Sequence, residues 1–557
     1  MKRSKNQKTD HYKQFSNPKT RIIVLILHRE PKTLIYMNTN NNLKPLFMLT
    51  ALMLAAPTLA KKNVAPNIVM IAVDDLKPIL GCYGDPIVKT PNIDRLAERS
   101  TVFNQAYCQQ SVSAATRASL LTGWCPDRTQ VWDLKTMIRK KNPNVVTLPQ
   151  YFAANGYETI GIGKIYDPRS VDKKQDAPSW SVPYIDSNRY LNKEYGLPAL
   201  SHYQSPESKT LVEKYRKQAL DSGYTKKNEI EQYIMKYFKP TTECASVPDN
   251  AYHDGATADG AIDFLHNYHS DKPFFLAVGM KKPHLPFCAP KKYWDLYDRT
   301  SMPLATYRKK ALNSPKFAYH NCGELQLYTD IPPIISFSDI DNVIIPDDKA
   351  RELIHGYYAA ISYIDAQIGK LLDELERKHM LDNTIIVFWG DHGWHLGDHG
   401  LWNKHTNFEH ATRVPMMISA PGQKKQRKID TPVEFLSFYP TLCSMAGIPV
   451  LNGLDGENLK DVVAVGSEAQ PKNEYAVSQY PRPGKMGYSI RSNRYRYTVW
   501  VDWKGRKLNA DKVYAEELYD YQKDPDETVN VAKQAEYASV LAQMKQYWNN
   551  YKTKRIK

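Results

Sequence analysis

Four short stretches of the chain are apolar at nearly every position: Asn67-Ile-Val-Met-Ile-Ala-Val73, Tyr157-Glu-Thr-Ile-Gly-Ile-Gly163, Pro273-Phe-Phe-Leu-Ala-Val-Gly279 and Thr384-Ile-Ile-Val-Phe-Trp389. Runs without alternation predict strands covered on both faces, the usual state of a parallel sheet under helices. Between them the apolar spacing turns helical. Thr90-Pro91 followed by Ile93, Leu96 and Ala97 reads as an N-cap, a first-turn proline and an amphipathic helix. A second helix is expected from Ser113 to Leu121, stopped by Gly123, and a third from Ala350 to Arg377. Strands alternating with helices predict a doubly wound α/β domain. In such sheets ligands sit beyond the carboxyl ends of the strands. Asp74/Asp75 and Asp391/His392 follow two of the apolar runs directly.

From about Asp430 the pattern changes. Tyr488-Ser-Ile-Arg491 and Tyr495-Arg-Tyr-Thr-Val-Trp-Val501 alternate as hairpin strands should, and Glu536 to Asn549 reads as a closing helix. We therefore expect a catalytic α/β domain over 61–428 and a smaller α+β subdomain over 429–557. Ahead of them, an apolar run from Leu46 to Ala56 follows Met37 and Lys44 and ends in small residues around Ala60. That order is the order of a secretory signal peptide over 37–60, too short for a stable membrane span. Met37 then reads as the true start, and 1–36 as a misassigned upstream extension.

Composition changes this picture little. The chain has 557 residues, 42% hydrophobic and 24% charged, as ordinary globular proteins do. A net charge of +16 would raise nucleic acid as a partner. However, residues 1–36 hold nine basic residues against two acidic ones and so supply seven of the sixteen excess charges. No nucleic-acid partner is expected. The seven cysteines form no CxxC pair, and their odd number leaves at least one thiol unpaired within the chain.

Alone, Asp74 and Asp75 would be turn or cap residues. With Asp391 and His392 at a neighbouring strand end, they can converge on one hard cation that relieves their repulsion. In the helix that opens at Ser113, Arg117 lies four residues on and shares its face. The hydroxyl sits at the end where free N–H groups favour an anion. A capped helix with an exposed arginine is the plain reading of that stretch in isolation.

Ser113, Ala115, Arg117, Thr122 and Gly123 match the serine form of a known hallmark. The chain resembles the formylglycine-dependent sulfatases (type I), and most closely their iduronate-2-sulfatase branch. The resemblance runs from Asn67 to about Ala532. It includes Gly81-Cys-Tyr-Gly84, Pro91-Asn-Ile-Asp94, Gly163-Lys164, Lys282-Pro-His-Leu-Pro-Phe287, Gly390-Asp-His-Gly-Trp-His-Leu-Gly397, Lys404-His-Thr-Asn407, Ser478-Gln-Tyr-Pro-Arg-Pro483 and Met486-Gly-Tyr-Ser-Ile-Arg491.

It implies an alkaline-phosphatase-like sulfatase fold, with a mixed, mostly parallel sheet flanked by helices and a smaller C-terminal α+β subdomain. It implies calcium held by Asp74, Asp75, Asp391, His392 and the modified Ser113. A bacterial maturase would make the formylglycine from Ser113 before export to the periplasm or exterior. Arg117, Lys164 and Lys404 would then neutralise sulfate oxygens, and His284 would protonate the leaving alcohol. The implied substrate is a sulfated oligosaccharide derived from a polysaccharide. Trp394, beside the metal cluster, is placed on the pocket wall to stack on a sugar. Asp167 stands among the substrate contacts where relatives carry a histidine, and adds negative charge beside an anionic substrate. Two other readings remain open: a phosphate or phosphonate ester hydrolase using unmodified Ser113, and an inactive sulfatase-like glycan-binding protein.

Overall fold

The structure, a computed structural model, describes residues 65–172, 175–332 and 345–556. The leader expected at 37–60 and the extension before it lie outside the described residues. Strand β1 (Asn67–Val73) is interior to the main sheet. Val69, Ile71 and Val73 enter one apolar cluster, and Ile68, Met70 and Ala72 enter another on the opposite face. With both faces covered, no position is left for a polar side chain, which is why the run is unbroken.

The other strands are β2 (Thr101–Phe103), β3 (Glu158–Gly163), β4 (Phe274–Met280), β5 (Thr384–Gly390), β6 (Met416–Ser419) and β7 (Arg427–Ile429). Their order across the sheet is β7-β2-β6-β5-β1-β4-β3. β1 is parallel to β4 and β5, and β3 is parallel to β4, whereas β6 runs against both β5 and β2. The register sets Val73 beside Met280 and Gly390, and Gly163 beside Gly279. Four neighbouring strands therefore end at one level.

Helices α1 (Pro91–Ala97), α2 (Ser113–Thr122), α3 (His253–His266), α4 (Asp347–Arg377) and α5 (Phe438–Met445) cover the two faces. α4 buries Leu353, Tyr357, Ile361, Ile364, Ile368, Leu371 and Leu375, a stripe at three- and four-residue spacing. It packs with α1 and α3 on one face, while Ala114, Ala118 and Leu121 of α2 join Phe438 and Leu442 of α5 on the other. α1 begins where expected, but Thr90 makes no side-chain cap. Asp365 of α4 takes that part instead, accepting from the backbone N–H groups of Asn92 at 3.0 Å and Ile93 at 2.7 Å.

Beyond α5, strands β8 (Tyr475–Arg482), β9 (Lys485–Ser492), β10 (Tyr495–Lys504) and β11 (Lys507–Asp520) form an antiparallel sheet in sequence order. Tyr488, Ile490, Tyr497 and Val499 pack there with Met544, Trp548 and Tyr551 of α6 (Ala538–Arg555). All seven cysteines are free thiols. No helix among the described residues is long and apolar enough to cross a membrane.

Candidate active site

The common ending level of β1, β3, β4 and β5 delivers four groups of residues to one place. Asp74 and Asp75 follow β1, Lys164 follows β3, His284 lies four residues beyond β4, and Asp391 and His392 follow β5. Backbone bonds fix the hand-over: Asp391 N–H donates to Val73 O at 3.0 Å, and Lys164 N–H to Gly279 O at 2.8 Å. Gly163 is required at that turn. Its φ is +76°, and a Cβ there would stand 2.1 Å from Gly279 O. Asp75 also adopts a left-handed φ of 60°, a conformation Asp tolerates better than most residues.

α2 brings the nucleophile candidate to these strand ends. Ser113 Oγ lies 3.2 Å from Asp74 Oδ1 and 3.0 Å from His392 Nε2. One turn on, Arg117 donates from Nη2 to Asp74 at 3.0 Å and from Nε to Asp391 at 2.9 Å. Its Nη1 bonds the Ile165 carbonyl at 3.0 Å. Arg117 is wholly buried, so this guanidinium binds carboxylates and backbone and has no face toward solvent.

Lys164 Nζ donates to Asp74 at 2.5 Å, and Lys404 Nζ to both oxygens of Asp75 at 3.1 and 3.0 Å. The two adjacent carboxylates are pushed apart. Burial raises Asp74, but Lys164 and Arg117 outweigh it and hold the group well below the ordinary range. Burial also raises Asp75, where Lys404 opposes it but Asp74, Glu324 and Asp391 add to the rise.

The donor set fits a divalent cation. His392 Nδ1 lies 3.2 Å from the Gly393 carbonyl, which can only accept. The proton therefore belongs on Nδ1, leaving the Nε2 lone pair facing Asp75 at 3.4 Å and Asp391 at 3.6 Å. A lone pair among carboxylates is unfavourable without a cation between them. The candidate ligand atoms of Asp75, Asp391 and His392 lie within 4.8 Å of one another, as do those of Asp74, Asp75 and His284.

A cavity of about 1260 Å³ opens over this cluster, lined by Asp74, Lys164, Asp167 and His284 among others. Ser113 sits behind it, 3% exposed. One expectation needs correction. Trp394 is not on the cavity wall: it is wholly buried, its ring edge-on to Phe287 and 4.9 Å from Lys404 Nζ. No face is left for a sugar, and the indole supports the lysine instead. Trp180 and Tyr184 are the aromatic residues that line the cavity.

Asp167 does line the cavity, but its charge is not loose there. Arg169 holds it with two parallel bonds of 2.9 and 2.8 Å, and Lys164 Nζ lies 4.0 Å away. Burial raises this carboxyl, yet the Arg169 bonds and the Lys164 charge prevail and keep it below the ordinary value.

Glu324 is the residue that no motif marked. It lies 3.0 Å from Lys404 Nζ and 3.2 Å from His284 Nε2, joining the two groups behind the cavity. Burial and the Lys404 charge push His284 down to about 4, with Glu324 and Asp74 opposing. Lys404 stays charged above the ordinary lysine value, because Asp75 and Glu324 outweigh its burial.

The sulfatase family model matches residues 66–448, and the model of the N-sulphoglucosamine sulphohydrolase C-terminal region matches 397–554. Iduronate 2-sulfatase of Mus musculus is 33% identical over 544 residues, covering 86% of this chain and 92% of the mouse protein. A sulfatase of Formosa agariphila is 29% identical, over 88% of this chain and 89% of its own length. Among solved structures, BT4656 in complex with its substrate D-glucosamine-2-N,6-O-disulfate aligns with a TM-score of 0.65 at 20% identity, covering 88% of this chain and 98% of that one. The phosphonate monoester hydrolase of Agrobacterium radiobacter aligns with a TM-score of 0.64 at 21% identity, covering 88% and 96%. At such identities the two structures share the fold and no more. With strand ends, helix and cations gathered as described, and with the family model spanning most of the chain, the chain belongs to the sulfatase family and is an enzyme that hydrolyses sulfate esters.

Proposed function

We propose that this sulfatase removes sulfate from a sulfated, polysaccharide-derived oligosaccharide, in the manner of the iduronate 2-sulfatases, through a formylglycine made from Ser113. The observation that carries the reading is the position of Ser113 Oγ, held between Asp74 and His392 at the start of α2, behind a cavity that Lys164 and His284 line. As a hydrated aldehyde, residue 113 would offer two hydroxyls on one carbon, one to attack sulfur and one whose deprotonation expels sulfate. Asp74, Asp75, Asp391 and His392 would hold calcium, which supplies positive charge against the sulfate oxygens.

This chain's own residues do the remainder. Lys164 and Lys404 place ammonium groups beside the carboxylate pair and add positive charge where the transition state gathers negative charge. Arg117 locks Asp74 and Asp391 in position from behind. His284 would pass a proton to the leaving alcohol, and Glu324, 3.2 Å from its Nε2, opposes the burial and the Lys404 charge that disfavour the imidazolium. The relatives named as sulfatases of sugars support the substrate class, and the leader composition supports export to a bacterial periplasm or exterior after a maturase has acted.

The test is a mass measurement joined to an activity panel. Co-expression with a formylglycine-generating maturase should yield a Ser113 peptide lacking two hydrogens, and a protein that releases sulfate from sulfated oligosaccharides. Calcium should raise the Tm and a chelator should lower it, because a ligand bound only to the folded state stabilises that state. An unmodified Ser113 in a protein that cleaves phosphate or phosphonate esters would overturn the proposal, as would a Tm indifferent to calcium for the metal.

A further inference from the structure

Shortly before α3 the chain forms a pair of helices, Pro206–Asp221 and Lys227–Tyr237, that the sulfate chemistry does not use. Their base is tied down beside the cavity. Ser201 and His202 line the cavity, and Tyr203 packs on Phe238 with ring centroids 5.5 Å apart while its hydroxyl donates to the Pro240 carbonyl at 2.7 Å. Between the two helices Val212, Ala219, Ile230 and Ile234 make a small core of their own. Along one flank four tyrosines run ring to ring. Tyr224 lies 5.5 Å from Tyr233, Tyr233 5.0 Å from Tyr237, and Tyr237 is stacked on Tyr215 at 5.4 Å. Tyr224 is 41% and Tyr237 46% exposed, so the strip faces water. Lys214 and Lys236 stand at its edges, each with its ammonium 5.5 Å from the ring of Tyr215 or Tyr237, and neither forms an ion pair among the described residues. Glu213, Glu229 and Glu231 are already held by Arg216, Lys226 and Lys227. The acids left over, Glu207 and Asp221, stand near the two ends of the first helix.

We infer that this strip of tyrosines and lysines is a docking surface, outside the catalytic cavity, for a strand of sulfated polysaccharide. The flat C–H face of a pyranose packs on an aromatic ring, and an ammonium that meets no carboxylate is free to bond sulfate oxygens. A row of rings along the flank of a helix pair is convex, so it suits a chain lying across it rather than a small enclosed ligand. Each contact is weak, because the groups are exposed and screened. Several on one polymer add together, and a strand held there keeps its sulfate groups concentrated beside the cavity. The choice of partner rests on the sugar-sulfate reading given above and extends it from oligosaccharide to polymer.

Binding of the full chain to three polyanions tests the surface without using turnover. The probes are heparin, poly(vinyl sulfate), which has sulfates but no sugar, and single-stranded DNA. Lys214→Gln with Lys236→Gln should weaken binding to heparin and to poly(vinyl sulfate) about tenfold, the combined scale of two exposed ion pairs. Lys425→Gln with Lys428→Gln removes the same charge from exposed positions elsewhere and should change either affinity about twofold or less. Tyr224→Ser with Tyr237→Ser should weaken heparin and spare poly(vinyl sulfate). Equal losses from the two lysine pairs, no loss on heparin from either hairpin variant, or tighter binding of DNA than of heparin would overturn the surface. Sulfate release from 4-nitrophenyl sulfate by the modified enzyme is read on the same variants and should match the parent. A parallel fall there would show a disturbed fold and also overturn it. A parent that binds heparin through the strip yet releases no sulfate would sink the hydrolytic reading alone.

Discussion

Ser113 and Arg117 stand one helical turn apart, yet their loss should be felt in different ways. Ser113→Ala removes a hydroxyl with two partners and no packing volume, so sulfate release should vanish while stability falls by about 1–2 kcal/mol. Release that persists would dismiss Ser113 as the nucleophile. Arg117→Ala strands two buried carboxylates, and removing one partner of a buried pair costs about 3–5 kcal/mol. Its inactivity would therefore come with a large drop in denaturation midpoint, and a midpoint near that of the parent would refute the structural part given to this arginine. At this scale the sequence is readable where residues act in an ordered local string, as from Ser113 to Gly123. Glu324 and Arg169 were silent, because their meaning lies in partners far along the chain or in a fork geometry that spacing does not reveal. Trp394 was misplaced for a related reason: adjacency to the metal cluster does not say on which side of the backbone a ring will fall.

Each element that carries the site owes its aim to backbone geometry at its end. β3 stops at Gly163, whose positive φ and contact with Gly279 leave no room for a side chain. Gly163→Ala should therefore displace Lys164 as well as destabilise the fold. We expect poor expression or a Tm lowered by several degrees, together with lost activity, and a well-folded active variant would show the close approach to be unimportant. The strands themselves were legible because both faces of the sheet are covered and the apolar runs are unbroken. α4 was legible from its stripe, though it starts three residues early, at Asp347, where Pro346 precedes two acidic residues in the first turn. The cap of α1 was not legible, since Asp365 comes from a different helix.

Across the whole molecule, buried histidines set the response to acid. Burial pushes His320 and His399 down to about 3 and His410 to about 4. Unfolded, each returns to about 6.5 and binds a proton that the folded chain refuses. Their contribution to stability is complete above that pH and is lost as the pH falls toward 4. Asp127 and Asp365, both pushed up to about 6 by burial, act in the opposite sense, favouring the fold more as the pH drops from 6 toward 4. Between pH 6.5 and 5 the histidines lose roughly 2 kcal/mol each against a gain of about 1 kcal/mol for each carboxylate. The Tm should therefore decline from pH 7 to 5, and a flat or rising profile would contradict the neutral burial of these rings.

The strand order has a consequence for how the protein is made. β1 leaves the ribosome first, but its two neighbours are β4, at Phe274–Met280, and β5, at Thr384–Gly390. Pairings so distant along the chain form late. Until Gly390 has been synthesised, nothing can close over Ser113, and once the sheet is complete only 3% of that residue remains in reach of another protein. Any enzyme that edits this side chain must work before the sheet closes, on a chain not yet folded there, within a window that the topology itself holds open.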